Sequence, residues 1–412
     1  MRSHLLALLR SPLLPLWAVI ALLPFGRSAE AGVVFAAIGA LFLFLRTPRA
    51  LDGHPGARLL LALWACYIGA AAISAVDAID LPKSWGTVAA ALRFAPLGLY
   101  ACFAIRRFER VREFYRGVAL MTALWLLDAW MQALFGVSLG GHAEAQRLSG
   151  IFGAENLKLG PTLAVLAPFV LWVARDRWGR RGLVFAFLIL LVPILLAGSR
   201  AAWFGYGLVC VGFVWREARK PTQFLAVSAA LVLSVAIAAA AAWQFSPAFD
   251  ARIEKTLHAL EGSSAGMDEA LAGRLRIWRT SFAMIEAHPI NGVGVRDFRY
   301  AYPQYAEPGD DFLQKDGSGA AHAHQIVLEV LTETGALGLL LWALGSFLAL
   351  RAWWRADAPA RERALAPALG LVAMTFPLNT HLAFYSAWWG LLFWWLLAIY
   401  CAALYANLDE TA

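Results

Sequence analysis

The chain has 412 residues, 60% of them hydrophobic and only 15% charged, with a formal net charge of +7. An average globular chain carries about 25% charged residues, so the polar residues here are too few to clothe one soluble domain or several. The apolar excess lies in long unbroken blocks, the pattern of an integral membrane protein that crosses the bilayer many times, and no nucleic-acid partner is expected.

Hydrophobic runs predict twelve membrane helices, at about 10–25, 31–45, 59–76, 85–105, 117–135, 157–174, 182–197, 200–215, 222–243, 323–350, 364–380 and 384–405. The first follows a basic start but lacks a convincing small-x-small cleavage site, so it reads as a membrane helix rather than a secretory signal. Several runs fall short of the ~20 residues of a perpendicular span. Cys66, Cys102, Cys210 and Cys401 each sit inside an apolar block without a CxxC partner and read as packing residues.

Loop charge gives an independent test, because Lys and Arg concentrate on the cytoplasmic side. Alternate loops carry Arg46, Arg49 and Arg58, then Arg106, Arg107, Arg110, Arg112 and Arg116, and later Arg175, Arg177, Arg180 and Arg181. The opposite loops carry only Arg27, Lys83, Arg147, Lys158 and Arg200. The alternation places both termini in the cytoplasm. One connection is long, and it falls on the outer side with eleven acids and eight bases. The expected organisation is therefore spans one to nine over 1–243, a large periplasmic loop with an amphipathic helix over 244–322, and three further spans with a cytoplasmic C-terminus over 323–412.

Ionisable groups at membrane depth are costly and face a cavity or a partner. Such groups are Arg93, Asp128, Glu329 and Glu333. Asp128 and Gln132 share a helix face, suited either to an interhelical hydrogen bond or to a substrate. Arg147 lies in a Gly-rich polar loop near the outer surface, where it is a site residue or a solvated one. Arg200, in AGSRAAW, occupies a tight outer turn that favours a buried or cavity-facing guanidinium.

Further along, Leu271, Leu275, Trp278, Phe282 and Ile285 form a helical stripe. Arg274, Arg276 and Arg279 flank it, ready either for lipid headgroups or for an anion, since a guanidinium fork matches phosphate oxygens. Pro289 and the Asn291-Gly292 turn end the helix. His322 and His324 stand where the loop enters the tenth span, with Glu329 and Glu333 on the next turns. Two histidines two apart on a helix diverge and lack an evident third ligand, so no metal site is expected. A neutral imidazole beside a polar cavity suits proton acceptance.

The succession Asp128-xxx-Gln132, Arg147-Leu-Ser-Gly, Ser199-Arg200, Gly273-Arg274-Leu-x-x-Trp278, His288-Pro289-x-x-Gly292-x-Gly294-x-x-x-Phe298 and His322-x-His324-Gln325-x-x-Leu328-Glu329 resembles the O-antigen ligase family. That family is grouped with O-antigen polymerases and bacterial O-oligosaccharyltransferases. The resemblance covers about residues 128–335, with the flanking spans similar only in hydropathy. It implies an all-α membrane protein of GT-C-like glycosyltransferase architecture in the bacterial inner membrane. It further implies a metal-independent, inverting transferase that needs no cofactor. The donor would be O-antigen on undecaprenyl diphosphate, the acceptor a sugar hydroxyl of the lipid A–core oligosaccharide, and membrane lipids the surroundings.

By the same resemblance, His324 matches the essential histidine, Arg200 the arginine before the eighth span and Arg274 that of the loop helix, with Arg147 and Arg276 as further donor-binding residues. His322, Asp128, Gln132, Gln325 and Glu329 are expected in support; Gln325 stands where Asn is commoner, and both keep the amide. An O-antigen polymerase or an O-oligosaccharyltransferase would use the same donor. A lipid or ion transporter, from a different class, predicts two related halves with paired broken helices, a symmetry the sequence lacks.

Overall fold

The computed structural model describes residues 11–142, 147–153, 156–218, 220–245, 273–377, 379 and 383–407. The described chain is almost wholly helical: α1 (Leu14–Ala21), α2 (Glu30–Arg46), α3 (Pro55–Ser74), α4 (Leu81–Ala91), α5 (Phe94–Ala104), α6 (Phe108–Phe135), α7 (Leu159–Leu196), α8 (Arg200–Glu217), α9 (Pro221–Phe245), α10 (Arg274–Ala287), α11 (Phe298–Tyr305), α12 (Ile326–Arg355), α13 (Ala358–Thr375) and α14 (Ala387–Leu404). The described strands are two residues each, pairing antiparallel with Val137 opposite His142.

Among the described residues, eight helical stretches are long and apolar enough to cross a membrane: Gly26–Arg46, Pro55–Ser74, Leu81–Ala104, Phe108–Phe135, Leu159–Leu196, Pro221–Ala240, Ile326–Arg355 and Ala387–Leu404. The twelve runs of the sequence map onto them unevenly. Two runs, 157–174 and 182–197, are the two limbs of α7, which breaks at Gly179. The first run keeps only the eight residues of α1.

The chain divides into two compact units. Met1–Val111, Leu271–Ala364 and Thr380–Ala412 make one, and Arg112–Ala270 with Leu365–Asn379 the other. In the first unit α14 is apolar on every side and buried along most of its length, as an all-round hydrophobic helix must be when other helices surround it. Its tryptophans still need acceptors for their N–H groups. Trp395 donates to the Leu16 carbonyl at 2.9 Å and Trp388 to that of Leu23 at 3.2 Å, which fastens α1 to α14. Tyr67 of α3 meets the rings of Phe94, Phe384, Tyr385 and Trp394. Arg93, between α4 and α5, pairs with Glu30 at 2.9 Å, so this membrane-depth arginine has a carboxylate partner.

The second unit packs α8 along α7. Trp130 donates to the Ile189 carbonyl at 2.9 Å and Tyr206 to that of Phe187 at 2.9 Å. At the arginine-rich ends Arg112 pairs with Asp176 and Arg175 with Glu217. The most apolar window of α9 buries none of its residues.

Candidate functional site

The site in the first unit is built on a broken helix. α12 is interrupted at Gly335, whose φ of +63° and ψ of −167° are not helical. A break strips carbonyls and N–H groups of their helical partners, and at membrane depth these need substitutes from the protein. The segment after α10 supplies them. Val293 N–H donates to the Thr332 carbonyl at 2.8 Å and Gly294 N–H to that of Glu333 at 3.2 Å, while Ala336 and Leu337 donate to the carbonyls of Pro289 and Ile290 at 2.9 and 3.0 Å.

Such backbone-to-backbone contact leaves no room for side chains. A Cβ on Gly292 would stand 2.5 Å from the carbonyl carbon of Glu333, and one on Gly335 would stand 2.3 Å from that of Ile290. The His-Pro-x-x-Gly-x-Gly run is thus the strap that closes the break.

Arg296 follows in left-handed backbone, φ +67°, and its N–H donates to Glu333 Oε2 at 2.8 Å. Next to it Asp297 is fully buried and accepts the Asp80 N–H at 2.7 Å. Burial pushes the Asp297 carboxyl up to about 6, against the lowering effect of that hydrogen bond.

The histidines lie at the other end of the short helical limb 326–334. Gln325 caps it, its Oε1 accepting the Leu328 N–H at 2.6 Å. His322 and His324 precede the helix in irregular backbone instead of opening the span at 323. His324 has φ +54°, and its ring centroid lies 3.9 Å from that of His322, so the two rings are neighbours where a helix would splay them. Both are half-buried. Glu329, one turn into the limb, is fully buried and accepts the Tyr385 N–H at 3.4 Å.

α10 reaches this turn through Trp278, whose Nε1–H donates to the Ala323 carbonyl at 3.1 Å. Ile277 and Met284 pack beneath with Phe298, Tyr302 and Ala323. The buried face of α10 is Ile277, Thr280, Ser281 and Met284, one step round the helix from the predicted stripe, of which Leu275, Trp278 and Ile285 are half-buried, Phe282 is exposed and Leu271 lies outside the described residues. Arg274 is the first residue of α10, half-buried, in a first turn that contains no acid. A cation there opposes the positive end of the helix dipole, an arrangement suited to an anion that meets both. Arg276 is exposed and pairs with Asp311 at 2.6 Å. Asp310 accepts the Tyr302 hydroxyl at 2.8 Å. Among the described residues no three His, Cys, Asp or Glu side chains are grouped to hold a metal ion.

In the second unit Gln132 orders the loop that bears Arg147. Its Oε1 accepts the N–H groups of Ser149 and Gly150 at 2.9 and 2.8 Å, and its Nε2 donates to the hydroxyls of Ser138 and Ser149. Asp128 accepts the Leu139 N–H at 2.7 Å. Both side chains thus help to hold the loop, while Asp128 Oδ2 is buried with no hydrogen-bond partner among the described residues. Leu148 N–H donates to the Leu196 carbonyl at 3.3 Å, bringing Arg147 to the α7–α8 turn. Ser199 caps α8 by accepting the Ala202 N–H, and Arg200 is its first residue, exposed. Burial lowers the Arg147 pKa, and the charge of Arg200 lowers it further. Two guanidiniums close enough to disfavour each other's charge beside a helix N-terminus are an arrangement suited to an anion.

Sequence reasoning passed over Gly335, Arg296, Asp297 and the donor role of Trp278. A Gly inside the tenth span, with another pair of glycines in the loop before it, was the available signal for the strap.

Residues 184–343 match the model of a family described as O-antigen ligase, a stretch containing Arg200, Arg274, Arg276, His322, His324, Gln325 and Glu329. Comparison with curated proteins gives no match. The apolar helices together with the family match indicate a multi-pass membrane protein, and the matched family indicates a function of the O-antigen ligase or polymerase type. The matched stretch, running from the second limb of α7 past the break in α12, supports assignment of the chain to the O-antigen ligase family.

Proposed function

We propose that the chain is the ligase itself, transferring O-antigen from undecaprenyl diphosphate to a sugar hydroxyl of the lipid A–core oligosaccharide in the bacterial inner membrane. The reading includes the twelve-span topology, cytoplasmic termini and a periplasmic site within a GT-C-like architecture. One observation carries it. His324 stands in left-handed backbone at the head of α12, against His322 and one residue from a carbonyl gripped by Trp278 of the helix that Arg274 opens.

In this reaction the acceptor oxygen attacks the anomeric carbon from the face opposite the diphosphate, so the configuration inverts. His324 takes the hydroxyl proton as general base. The anomeric C–O bond breaks and its electron pair leaves on the diphosphate, where charge is offset by preorganised guanidiniums. Arg274 is assigned this role in the first unit, with Arg276 beside it on the same helix. Arg147 and Arg200 are assigned to donor binding in the second. No metal is required by these residues, since arginine supplies the charge. His322 and Gln325 orient the His324 turn, Glu329 holds the limb of α12, and Asp128 and Gln132 hold the Arg147 loop.

The testing experiment is reconstitution of purified protein with both lipid substrates in EDTA. Core bearing a full polymer is the expected product. Loss of turnover that magnesium restores would contradict metal independence. Elongation of the lipid-linked chain, without transfer to the core, would instead identify a polymerase.

A further inference from the structure

We infer that Glu333 is a positioning residue for His324, acting by locking the 289–297 strap into the break of α12; the inference rests on the assignment of His324 as the base. The limb 326–334 is short, about two and a half turns, and has an anchor at each end. At its head are the Gln325 cap and the grip of Trp278 on Ala323. At its foot the carbonyls of Thr332 and Glu333 take the N–H groups of Val293 and Gly294. The Glu333 side chain adds a side-chain link from this foot to the strap, its Oε2 accepting the Arg296 N–H at 2.8 Å.

That link holds Arg296 in a left-handed conformation that a non-glycine residue leaves unless something holds it there. Asp297, the next residue, takes the Asp80 N–H, and Ser84 donates to the Val295 carbonyl at 2.8 Å. Glu333 therefore joins the limb to a strap that is itself fastened to the start of α4. Remove the carboxylate and Arg296 relaxes, the strap loosens at the break, and the limb gains freedom to shift along its axis. His324, two residues ahead of that limb, moves with it.

A carboxylate buried in this way is expensive unless its geometry is used. Its Oε1 is buried with no hydrogen-bond partner among the described residues. The part of Glu333 that the clasp needs is thus one acceptor oxygen at a fixed reach, which glutamine also offers.

The test compares Glu333→Gln, Glu333→Asp and Glu333→Ala with wild-type protein reconstituted in lipid, using undecaprenyl-diphosphate-linked oligosaccharide and lipid A–core as substrates. Glu333→Gln is expected to keep kcat within about threefold. Glu333→Ala is expected to lose kcat by tenfold or more with donor KM within about twofold, and Glu333→Asp, whose oxygen is withdrawn by one methylene, to fall between them. A second readout needs no turnover: the rate at which diethyl pyrocarbonate modifies His324, resolved from His322 by fragmentation in a mass spectrometer. That rate is expected to change in the Ala and Asp variants and not in the Gln variant.

Wild-type kcat and wild-type His324 modification in the Asp variant, or a Gln variant as inactive as the Ala variant, would overturn the inference, the latter by showing that the charge itself acts. The Asp variant carries this test if the Ala variant does not fold. Should the His324→Ala protein retain full transfer while His324 modification still follows Glu333, the assignment of the base fails and the clasp stands.

Discussion

Trp278 and Ala323 are joined by a single hydrogen bond of 3.1 Å from indole to carbonyl, and it ties the loop helix to the turn between the two histidines. The ring also belongs to the predicted helical stripe, so packing and polar grip can be separated. Trp278→Phe keeps most of the apolar surface and removes the donor. It is expected to cost about 1 kcal/mol of stability and a larger share of turnover, read as a kcat loss of about tenfold at nearly constant melting temperature in detergent.

His324 occupies backbone that glycine adopts more readily. His324→Gly is therefore expected to fold with stability within about 1 kcal/mol of wild type, strain relief offsetting the entropy of glycine, and to make no polysaccharide ladder on lipopolysaccharide. Immunoblots of membranes against ladder staining check the two halves. Arg274→Ala should give the same pattern with long lipid-linked polymer accumulating. A wild-type ladder in the His324 variant would remove the base assignment.

Asp297 gives a pH dependence of definite sign. Its carboxyl is raised by burial from 3.8 to about 6, so the folded chain holds this proton after the unfolded chain has released it. Stability from this group is greatest near pH 4 and falls as pH rises to about 6, beyond which it is level. Asp297→Asn keeps an acceptor for the Asp80 N–H and removes the titration. Melting curves in detergent between pH 4 and 7 should show a decline in wild type that the variant lacks.

Gln132 satisfies two backbone donors and two hydroxyls from a buried position. Gln132→Ala leaves the Ser149 and Gly150 N–H groups without their acceptor and is expected to cost about 2 kcal/mol. The Arg147 loop should then react faster with phenylglyoxal, measured by peptide mass spectrometry. Unchanged reactivity at Arg147 with a lowered melting point would separate the loop from the arginine.

Much of this was legible in the residues. Long apolar runs announce membrane helices because hydrocarbon admits little else, and the stripe ending in Pro289 marks α10 to within a residue at its C-terminal end. The pairing of His322 with His324 was not legible, because helical spacing sends i and i+2 apart and only the left-handed turn at His324 reverses that. Arg276 reads as an anion ligand, and its ion pair with Asp311, 35 positions away, was not legible because local pattern cannot connect the two. The strap was hidden for the same reason. Its glycines read as an ordinary turn, since their constraint comes from a helix break some forty residues downstream.

The naked face of α9 has a consequence for handling the protein. A helix whose most apolar window buries none of its residues takes its tilt and depth largely from the thickness of the surrounding hydrocarbon. Acyl-chain length is therefore a structural variable for the second unit, and a short-chain detergent is a different solvent for it from a bilayer. Activity that vanishes on extraction and returns in vesicles of matched thickness would report on lipid fit at α9, with the chemistry of His324 untouched.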